Sequence, residues 1–499
     1  MNTIPMNTPL APAPATTGVG FNEYADRDSS LAAARAIADA CPDLAARRGA
    51  MELLAPAGGM EQLEYALHFG ADAVYMAGQR FGMRRRADNF TEEELAQAVA
   101  KAHGAGARAY VTVNTLMNDG DMAHMPEYFD FLAQIGADAA IVSDMGALRV
   151  ARRVAPGLEL HLSTQASCMN AESALGWYDL GVRRVVVARE MSLAQIAQMR
   201  RQIPDDLEIE AFVHGAMCMA YSGRCLISDH LAARRANIGH CAQPCRWKYY
   251  LVEETRPGEY FPVEQDDHGS FIMSSNDMNM LSYLDELAAA GVNSLKIEGR
   301  AKGAYYVASV VNAYRHVLDG CPADQWQEEL ETTSHRPYNT GFYFGPAGQN
   351  HGTGEYCRKY QMVARGVEAP AAAPAQEAEG PRRAHVLCRN RFFEGETLEV
   401  VSPGQPVRQV TVTNLMWHAD PNADWAEVEK KGQGRKLGPD PACPATDTEP
   451  SGSLVQVTVA NRTMNHYSFD APFAIKDLDI LRIERSGLER GRVIDRPEG

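Results

Sequence analysis

Residues 51–78 read MELLAPAGGMEQLEYALHFGADAVYMAG and predict one strand–helix–strand unit. Short β-prone runs at 51–58 and 71–78 flank an amphipathic stretch, and Gly70 follows it directly. A glycine just past the end of a helix accepts the left-handed backbone that closes the helix. This stretch therefore predicts a βαβ unit.

The same unit recurs further along the chain, with glycine at four more joints: GAR at 106, GAD at 136, GVR at 181 and GVN at 291. The strand candidates are 51–58, 71–78, 108–114, 137–143, 159–165, 183–190, 208–215 and 293–299. Eight strand–helix units over about 260 residues predict an α/β fold, a (β/α)8 TIM-like barrel. A doubly wound open sheet is the alternative.

Composition divides the rest of the chain. We predict a disordered and helical N-terminal extension (1–49), the barrel (50–330) with an insertion after strand seven (216–292), a connector (331–366), an Ala- and Pro-rich linker (367–382) and a small all-β, barrel-like C-terminal domain (383–499). Within the last, 428–452 is predicted to be a mobile loop.

The overall charge limits the classes of partner. The 499 residues carry a net charge of −16, which argues against non-specific nucleic-acid binding. Residues 216–250 differ, because they hold five basic side chains and one acidic one. No apolar run reaches the roughly 18 residues of a membrane span. The N-terminus does not resemble a secretory signal, so we expect a cytoplasmic protein with reduced thiols and no membrane partner.

Four of the ten cysteines lie in the insertion with the spacing C-x6-C-x15-C-x3-C: Cys218, Cys225, Cys241 and Cys245. Soft thiolates suit zinc, copper(I) or an iron–sulfur cluster. Zinc ribbons use paired C-x2-C knuckles, which this spacing lacks. An iron–sulfur cluster needs four thiolates at no fixed spacing. The pattern favours an iron–sulfur cluster, with structural zinc or unliganded thiols as alternatives.

Polar residues at strand ends predict a site at the barrel mouth, the carboxyl end of the strands. Lys296 and Glu298 alternate in SLKIEGR, which predicts one shared interior face, and Arg300 follows. A buried Lys–Glu pair favours a binding or catalytic role over a structural ion pair. His214 ends strand seven and is either a base or donor, or a packed histidine. Further polar strand ends are Asn114, Gln165, Arg189 and Glu190.

Three segments make the chain similar to a known family: EAFVHGAMCMAYSGRC (210–225), LLAPAGGMEQLEYALHFGADAVYMAG and SLKIEGR. They resemble the peptidase U32 (collagenase-like) family, over roughly residues 50–360. Several members of that family are oxygen-independent hydroxylases that carry a 4Fe-4S cluster. CRWKYY and SLKIEGRAKGAYYVASVVNAYR are most similar to the tRNA uridine 5-hydroxylase branch.

The resemblance implies hydroxylation at C5 of the wobble uridine in the anticodon loop of tRNA, with prephenate as the hydroxyl donor. It implies that Cys218, Cys225, Cys241 and Cys245 hold the 4Fe-4S cluster. We expect catalytic roles for Lys296, Glu298, Arg300 and His214, prephenate binding by Arg189 and Gln165, and RNA contacts from Arg234, Arg235, Arg246 and Trp247. The alternatives are a peptidase and a hydroxylase of ribosomal RNA cytidine or of a quinone precursor.

Overall fold

A computed structural model describes most of the chain. The described residues are 27–83, 89–217, 225, 227–232, 234, 240–244, 250–251, 261–262, 276–345, 347, 359–368, 382–419, 435–439 and 453–485. The N-terminal 26 residues lie outside this set, as does most of the cysteine-rich insertion.

Residues 27–339 contain alternating strands and helices. Its strands are β1 Glu52–Pro56, β2 Ala73–Met76, β3 Arg108–Val113, β4 Ala139–Val142, β5 Glu159–Leu162, β6 Arg184–Val186, β7 Glu208–Ala216, β8 Tyr250–Leu251, β9 Phe261–Pro262, β10 Asp277–Asn279, β11 Ser294–Ile297 and β12 Tyr338–Asn339. The helices are α1 Arg27–Asp39, α2 Leu44–Ala50, α3 Met60–His68, α4 Glu92–Gly104, α5 Asp119–Met122, α6 Met125–Gln134, α7 Met145–Val154, α8 Ala171–Asp179, α9 Leu193–Arg200, α10 Ile227–Ala232, α11 Leu284–Ala289, α12 Ala304–Leu318 and α13 Asp324–Glu331.

Eight of these strands close into a parallel barrel. β1 to β7 pair in chain order, and β11 pairs with both β7 and β1. Lys296 of β11 lies opposite Leu54 of β1 on one side and Phe212 of β7 on the other. The predicted barrel is confirmed. The alternative, an open sheet, is wrong because β11 pairs with β1 and with β7 and so leaves no open edge between them.

The predicted helix ends are also present. The five repeated glycines, at 70, 106, 136, 181 and 291, all have positive φ, between 75° and 99°. At the other end of α4, Thr91 accepts a hydrogen bond from the Glu94 N–H, and the Glu94 side chain accepts one from the Thr91 N–H. These local signals mark the C-terminal ends of five helices and the N-terminal end of α4.

β7 is longer than the other barrel strands and continues past the mouth. Its end pairs antiparallel with β10, which pairs in turn with β12. Opposite β11, the register passes from Phe212 directly to His214, so Val213 forms a β-bulge. Gly215 follows with φ +103°, and a Cβ there would lie 2.5 Å from the Glu298 carbonyl oxygen. The backbone of β7 is therefore irregular at Val213–Gly215, and a regular alternation of side chains between the two faces of the strand does not predict this.

An antiparallel domain follows the barrel. Its strands are β13 Tyr360–Gly366, β14 Arg382–Cys388, β15 Phe392–Phe393, β16 Thr397–Val401, β17 Arg408–Thr411, β18 Thr413–Ala419, β19 Arg435–Pro439, β20 Ser453–Gln456, β21 Val459–Ala460, β22 His466–Ala471 and β23 Ile480–Glu484. Nine form one sheet in the order β17-β16-β23-β13-β14-β22-β18-β20-β19. This confirms the prediction of an all-β C-terminal domain.

The segments around the barrel pack against it. Within the predicted N-terminal extension, α1 and α2 are helical, and Arg48 pairs with Asp285 at 3.1 Å. Within the predicted connector, β13 joins the C-terminal sheet by pairing with β14 and β23. Arg482 of β23 reaches Glu329 of α13 at 2.7 Å, which ties that sheet to the barrel helices. Among the described helices, none has the length and apolar character needed to cross a membrane.

Candidate active site at the barrel mouth

A network of ion pairs fills the barrel interior. Arg184 of β6 is 1% exposed, and its guanidinium lies 2.5 Å from Glu52 of β1 and 3.3 Å from Glu210 of β7. Tyr110 and Ser294 donate hydrogen bonds to the Glu52 carboxylate, at 2.7 Å and 2.9 Å. Each buried charge thus has a partner of opposite sign, which is what allows it to be buried.

The pKa shifts in this network follow from that pairing. Burial alone would favour the neutral forms, but Arg184 outweighs it and lowers the pKa of Glu52. Burial would lower the pKa of Arg184, but the nearby carboxylates of Glu52 and Glu210 outweigh burial and raise it. Both groups are therefore charged at neutral pH. We name Arg184, Glu52, Glu210 and Lys296 the interior network.

Lys296 forms the end of the interior network nearest the mouth. Its Nζ lies 2.6 Å from Glu210 and 4.4 Å from the centre of the Tyr75 ring. Burial lowers the pKa of Lys296, and Arg184 and Arg189 act in the same direction against the opposing effect of Glu210. The site therefore holds a buried amine with a depressed pKa, a combination typical of functional sites.

Glu298 lies just beyond the strand on which it was predicted. β11 ends at Ile297, one residue before it, and Glu298 is half-buried. Its N–H donates to the His214 carbonyl at 2.9 Å. The buried carboxylate that pairs with Lys296 is Glu210, which the sequence analysis did not single out although it alternates with Phe212 in EIEAFVHG.

Two arginines follow barrel strands at the mouth, and one of them, Arg189, lies near Lys296. Arg189, just after β6, stacks over the Phe212 ring at 3.8 Å, and the Lys296 Nζ is 5.6 Å from the same ring. Arg189 donates to the Ala216 carbonyl at 3.0 Å, while its buried Nε has no hydrogen-bond partner among the described residues. Arg300 is 4% exposed and lies 3.5 Å from the Asn89 side-chain oxygen.

Neutral polar groups complete the mouth. Asn114 donates to the Ser163 hydroxyl at 3.1 Å, and Gln165 follows in a short 3-10 turn. The buried Thr112 hydroxyl has no partner within the described part of the chain. A Cβ at Gly82 would lie 3.3 Å from that hydroxyl and 3.7 Å from an Arg300 nitrogen. A glycine thus leaves room beside an arginine and an unpaired hydroxyl.

His214 lies on the helix side of the barrel wall because the bulge at Val213 reverses its direction. Its ring nitrogens are 3.5 Å from the hydroxyls of Tyr314 and Tyr338, and Tyr306 packs beside the ring. Burial lowers the pKa of His214 to about 3, with smaller effects from His335 and Lys302. These contacts favour the packed histidine, one of the two interpretations that the sequence left open.

The His214 pKa predicts how stability depends on pH. An unfolded histidine has a pKa near 6.5, so between pH 6.5 and 3 the unfolded chain binds a proton that the folded chain does not. The free energy of unfolding should therefore rise with pH in this window, by about 2 kcal/mol from pH 5 to pH 7 for this residue. Urea unfolding at both pH values should show this slope in the parent protein and a reduced slope in His214→Gln. His124→Gln, a change at an exposed histidine, should keep it, and equal slopes in all three would contradict the assignment.

Two of the four clustered cysteines are described. Cys225 and Cys241 are half-buried, and the Gln243 N–H donates to the Cys241 sulfur at 3.3 Å. Hydrogen bonds to the cysteine sulfurs are also a feature of iron–sulfur sites, so this contact is compatible with a metal ligand. By contrast, burial raises the pKa of Cys168 to about 11, as expected of an inert thiol. Cys218 and Cys245 lie outside the described residues.

Of the four residues predicted to contact RNA, one lies among the described residues. Arg234 follows α10, is half-buried, and its N–H donates to the Ser228 carbonyl at 3.2 Å. Arg235, Arg246 and Trp247 lie outside the described residues.

Comparison with known proteins places the chain in a family. The sequence profile of peptidase family U32 matches residues 58–353. The tRNA hydroxylation protein P1 of Bacillus subtilis (strain 168) is 38% identical over 383 residues, covering 74% of this chain and 88% of that protein. The tRNA hydroxylation protein P of Escherichia coli (strain K12) is 34% identical over 403 residues, covering 70% and 86%. A protein named collagenase from Porphyromonas gingivalis (strain ATCC BAA-308 / W83) is 36% identical over 327 residues, covering 62% and 76%. The chain belongs to peptidase family U32.

Proposed function

We propose that this chain hydroxylates C5 of the wobble uridine in tRNA, with prephenate as the hydroxyl donor and a 4Fe-4S cluster as cofactor. The names of the Bacillus subtilis and Escherichia coli relatives support tRNA as the substrate class. The observation that carries the chemistry is a set of three basic side chains at the barrel mouth: Lys296 in β11, Arg300 just after β11 and Arg189 just after β6. Active sites of this fold lie at that end of the barrel.

A dicarboxylate suits this mouth. Prephenate carries two carboxylates, and an arginine binds a carboxylate through two parallel hydrogen bonds. The Arg189 Nε, buried without a partner among the described residues, is available for such a bond. Lys296 supplies a second positive charge, and the Thr112 hydroxyl beside Gly82 supplies a neutral donor. Together these groups would orient the donor at the mouth and replace the water around its charges.

The insertion at 216–292 would hold the cluster and contact the RNA. Cys218, Cys225, Cys241 and Cys245 would hold the cluster, which supplies electron transfer when bound. The five basic residues of 216–250 would contact phosphates. A wobble uridine lies in a single-stranded loop, so it can be splayed out and stacked on an aromatic ring such as Trp247.

Cluster loading gives the first test. Anaerobically purified protein should be brown and contain about four iron per chain. Cys225→Ala should lose the colour and the iron, because it removes one of four ligands. Cys168→Ala should keep both, since that thiol is buried and protonated. Stoichiometric zinc without iron in the parent protein would contradict the cluster.

Activity gives the second test. Holoprotein incubated with unmodified tRNA and prephenate should produce 5-hydroxyuridine, detected by mass spectrometry of the digested nucleosides. Omission of prephenate should abolish the product. Formation of the product at the same rate without prephenate would contradict the proposed donor.

A peptidase is the second candidate, favoured by the collagenase relative and by one contact. The Cys321 sulfur lies 3.8 Å from the His316 Nδ1. His316 lies in the last turn of α12 and Cys321 lies just after that helix, which starts after β11 and runs back toward the end of the barrel opposite the mouth. The His316 ring also stacks on Trp326 at 3.8 Å, which holds it in a packed position. We expect no cleavage of collagen or casein; cleavage that Cys321→Ala abolishes would favour the peptidase.

A further inference from the structure

Three histidines meet on one face of the C-terminal sheet, outside the site described above. His466 is in β22, the central strand, while His385 is in β14 on one side and His418 in β18 on the other. His385 pairs with Ser468 and is therefore diagonal to His466, two residues away on the same face. Trp417 pairs with Tyr467, which brings the next residue, His418, opposite His466.

The imidazole nitrogens are close enough to share one ion. His385 Nδ1 lies 3.2 Å from His466 Nε2, and the His418 and His466 rings stack with centres 4.3 Å apart. One nitrogen from each ring lies within 4.8 Å of the other two. Nitrogens that bind a tetrahedral zinc ion at about 2.0–2.1 Å are roughly 3.3 Å from one another. The His385–His466 pair already has this spacing, and the His418 ring would turn out of its stack on His466 to bring its Nδ1 to the same ion.

The surroundings resemble those of a metal site. Arg383 donates to the Ser468 hydroxyl at 3.1 Å, and this hydroxyl lies 2.7 Å from His418 Nε2. A hydrogen bond to the nitrogen that does not bind metal fixes the orientation of a ligating imidazole. Asp470 pairs with Arg383 at 2.9 Å, which balances the nearest fixed positive charge.

The exposure of the rings leaves a route for the ion. His385 is 6% exposed, whereas His418 and His466 are half-buried and reach the surface. Paired strands hold the three backbones in place, so the ligands are arranged before the ion binds. Water from the open side can supply a fourth ligand.

We propose that His385, His418 and His466 bind one divalent transition-metal ion, with zinc as the preferred ion because three imidazoles and a water suit its tetrahedral coordination. The ion would link β14, β22 and β18 and so stabilise the C-terminal sheet. This site is separate from the cysteine cluster and from the barrel mouth, and it does not depend on the proposed function.

Zinc binding by the full-length holoprotein tests the proposal. Titration against a chromophoric chelator should reveal one zinc equivalent per chain. His418→Gln and His466→Gln should each weaken binding by at least about 100-fold, because a ligand is lost. His103→Gln, a change at an exposed histidine of the barrel, should leave the affinity unchanged. Cys225→Ala combined with Cys241→Ala should also retain the zinc equivalent, which separates this site from zinc bound by the cysteines.

A measurement on the unaltered protein makes the test independent of how the variants fold. Carbethoxylation of histidines, mapped by mass spectrometry, should be suppressed by zinc at His385, His418 and His466 and not at His103 or His124. Zinc should also raise the unfolding temperature of the parent protein. Absence of zinc binding by the parent protein, or equal modification of the three histidines with and without zinc, would overturn the proposal.

Discussion

Arg184→Met is expected to lower the free energy of unfolding by about 3–5 kcal/mol. Arg184 is the cation between the buried carboxylates of Glu52 and Glu210, at 2.5 Å and 3.3 Å. Methionine fills a similar volume but leaves two like charges in the barrel interior with one cation fewer. Urea unfolding followed by tryptophan fluorescence and circular dichroism would measure the loss.

Arg183→Met is the matched control, because the neighbouring arginine is exposed and stacks on Tyr178 at the surface. It should change stability by less than about 0.5 kcal/mol. Adding Glu52→Gln to Arg184→Met should restore part of the loss, because Glu52 is the carboxylate that loses its buried cation, whereas Glu210 keeps Lys296 at 2.6 Å. Equal stability of Arg184→Met and Arg183→Met would show that the interior network does not hold the barrel together.

Lys296→Met should reduce 5-hydroxyuridine formation by at least about 100-fold, equivalent to roughly 2.7 kcal/mol of lost transition-state stabilisation. The expected reason is loss of the positive charge that holds a donor carboxylate at the mouth. The fold should survive, because Glu210 keeps Arg184 as a partner at 3.3 Å. Product formation and tRNA affinity would be measured on the same preparation, and affinity should stay unchanged.

Lys302→Met provides the control for this change. Lys302 lies six positions further along the chain, donates to the Ser334 carbonyl at 3.0 Å and stacks over Tyr306 outside the barrel interior. It should retain most of the activity. If Lys296→Met also retained it, or if its loss of product matched a loss of tRNA binding, Lys296 would not bind the donor.

The fold was predictable because its signals are local. Seven strand candidates contain an observed barrel strand, the eighth (208–215) is one residue shorter than β7, and five glycines that end helices have the expected positive φ. The bulge at Val213 was not predictable, since valine is an ordinary strand residue and nothing in its side chain marks an inserted position. Regular alternation places His214 on the same face as Glu210 and Phe212, whereas the bulge turns it toward the tyrosines of the outer layer.

The site was less predictable because the residues that pair within it are far apart in the sequence. Lys296 stood out in SLKIEGR, but its carboxylate partner lies 86 residues earlier, and only the closure of the barrel brings them together. The three histidines of the C-terminal sheet likewise form no sequence motif. Strand pairing on both sides of β22 is what collects them on one face.

Nucleoside analysis of tRNA from a deletion strain tests the central claim most directly. The strain would lack this chain and any second copy of it, and it would be complemented with the parent gene or with Lys296→Met. We predict that 5-hydroxyuridine and its derivatives disappear on deletion, return with the parent gene and stay absent with the variant. Equal levels of these nucleosides with and without the chain would contradict the proposed function.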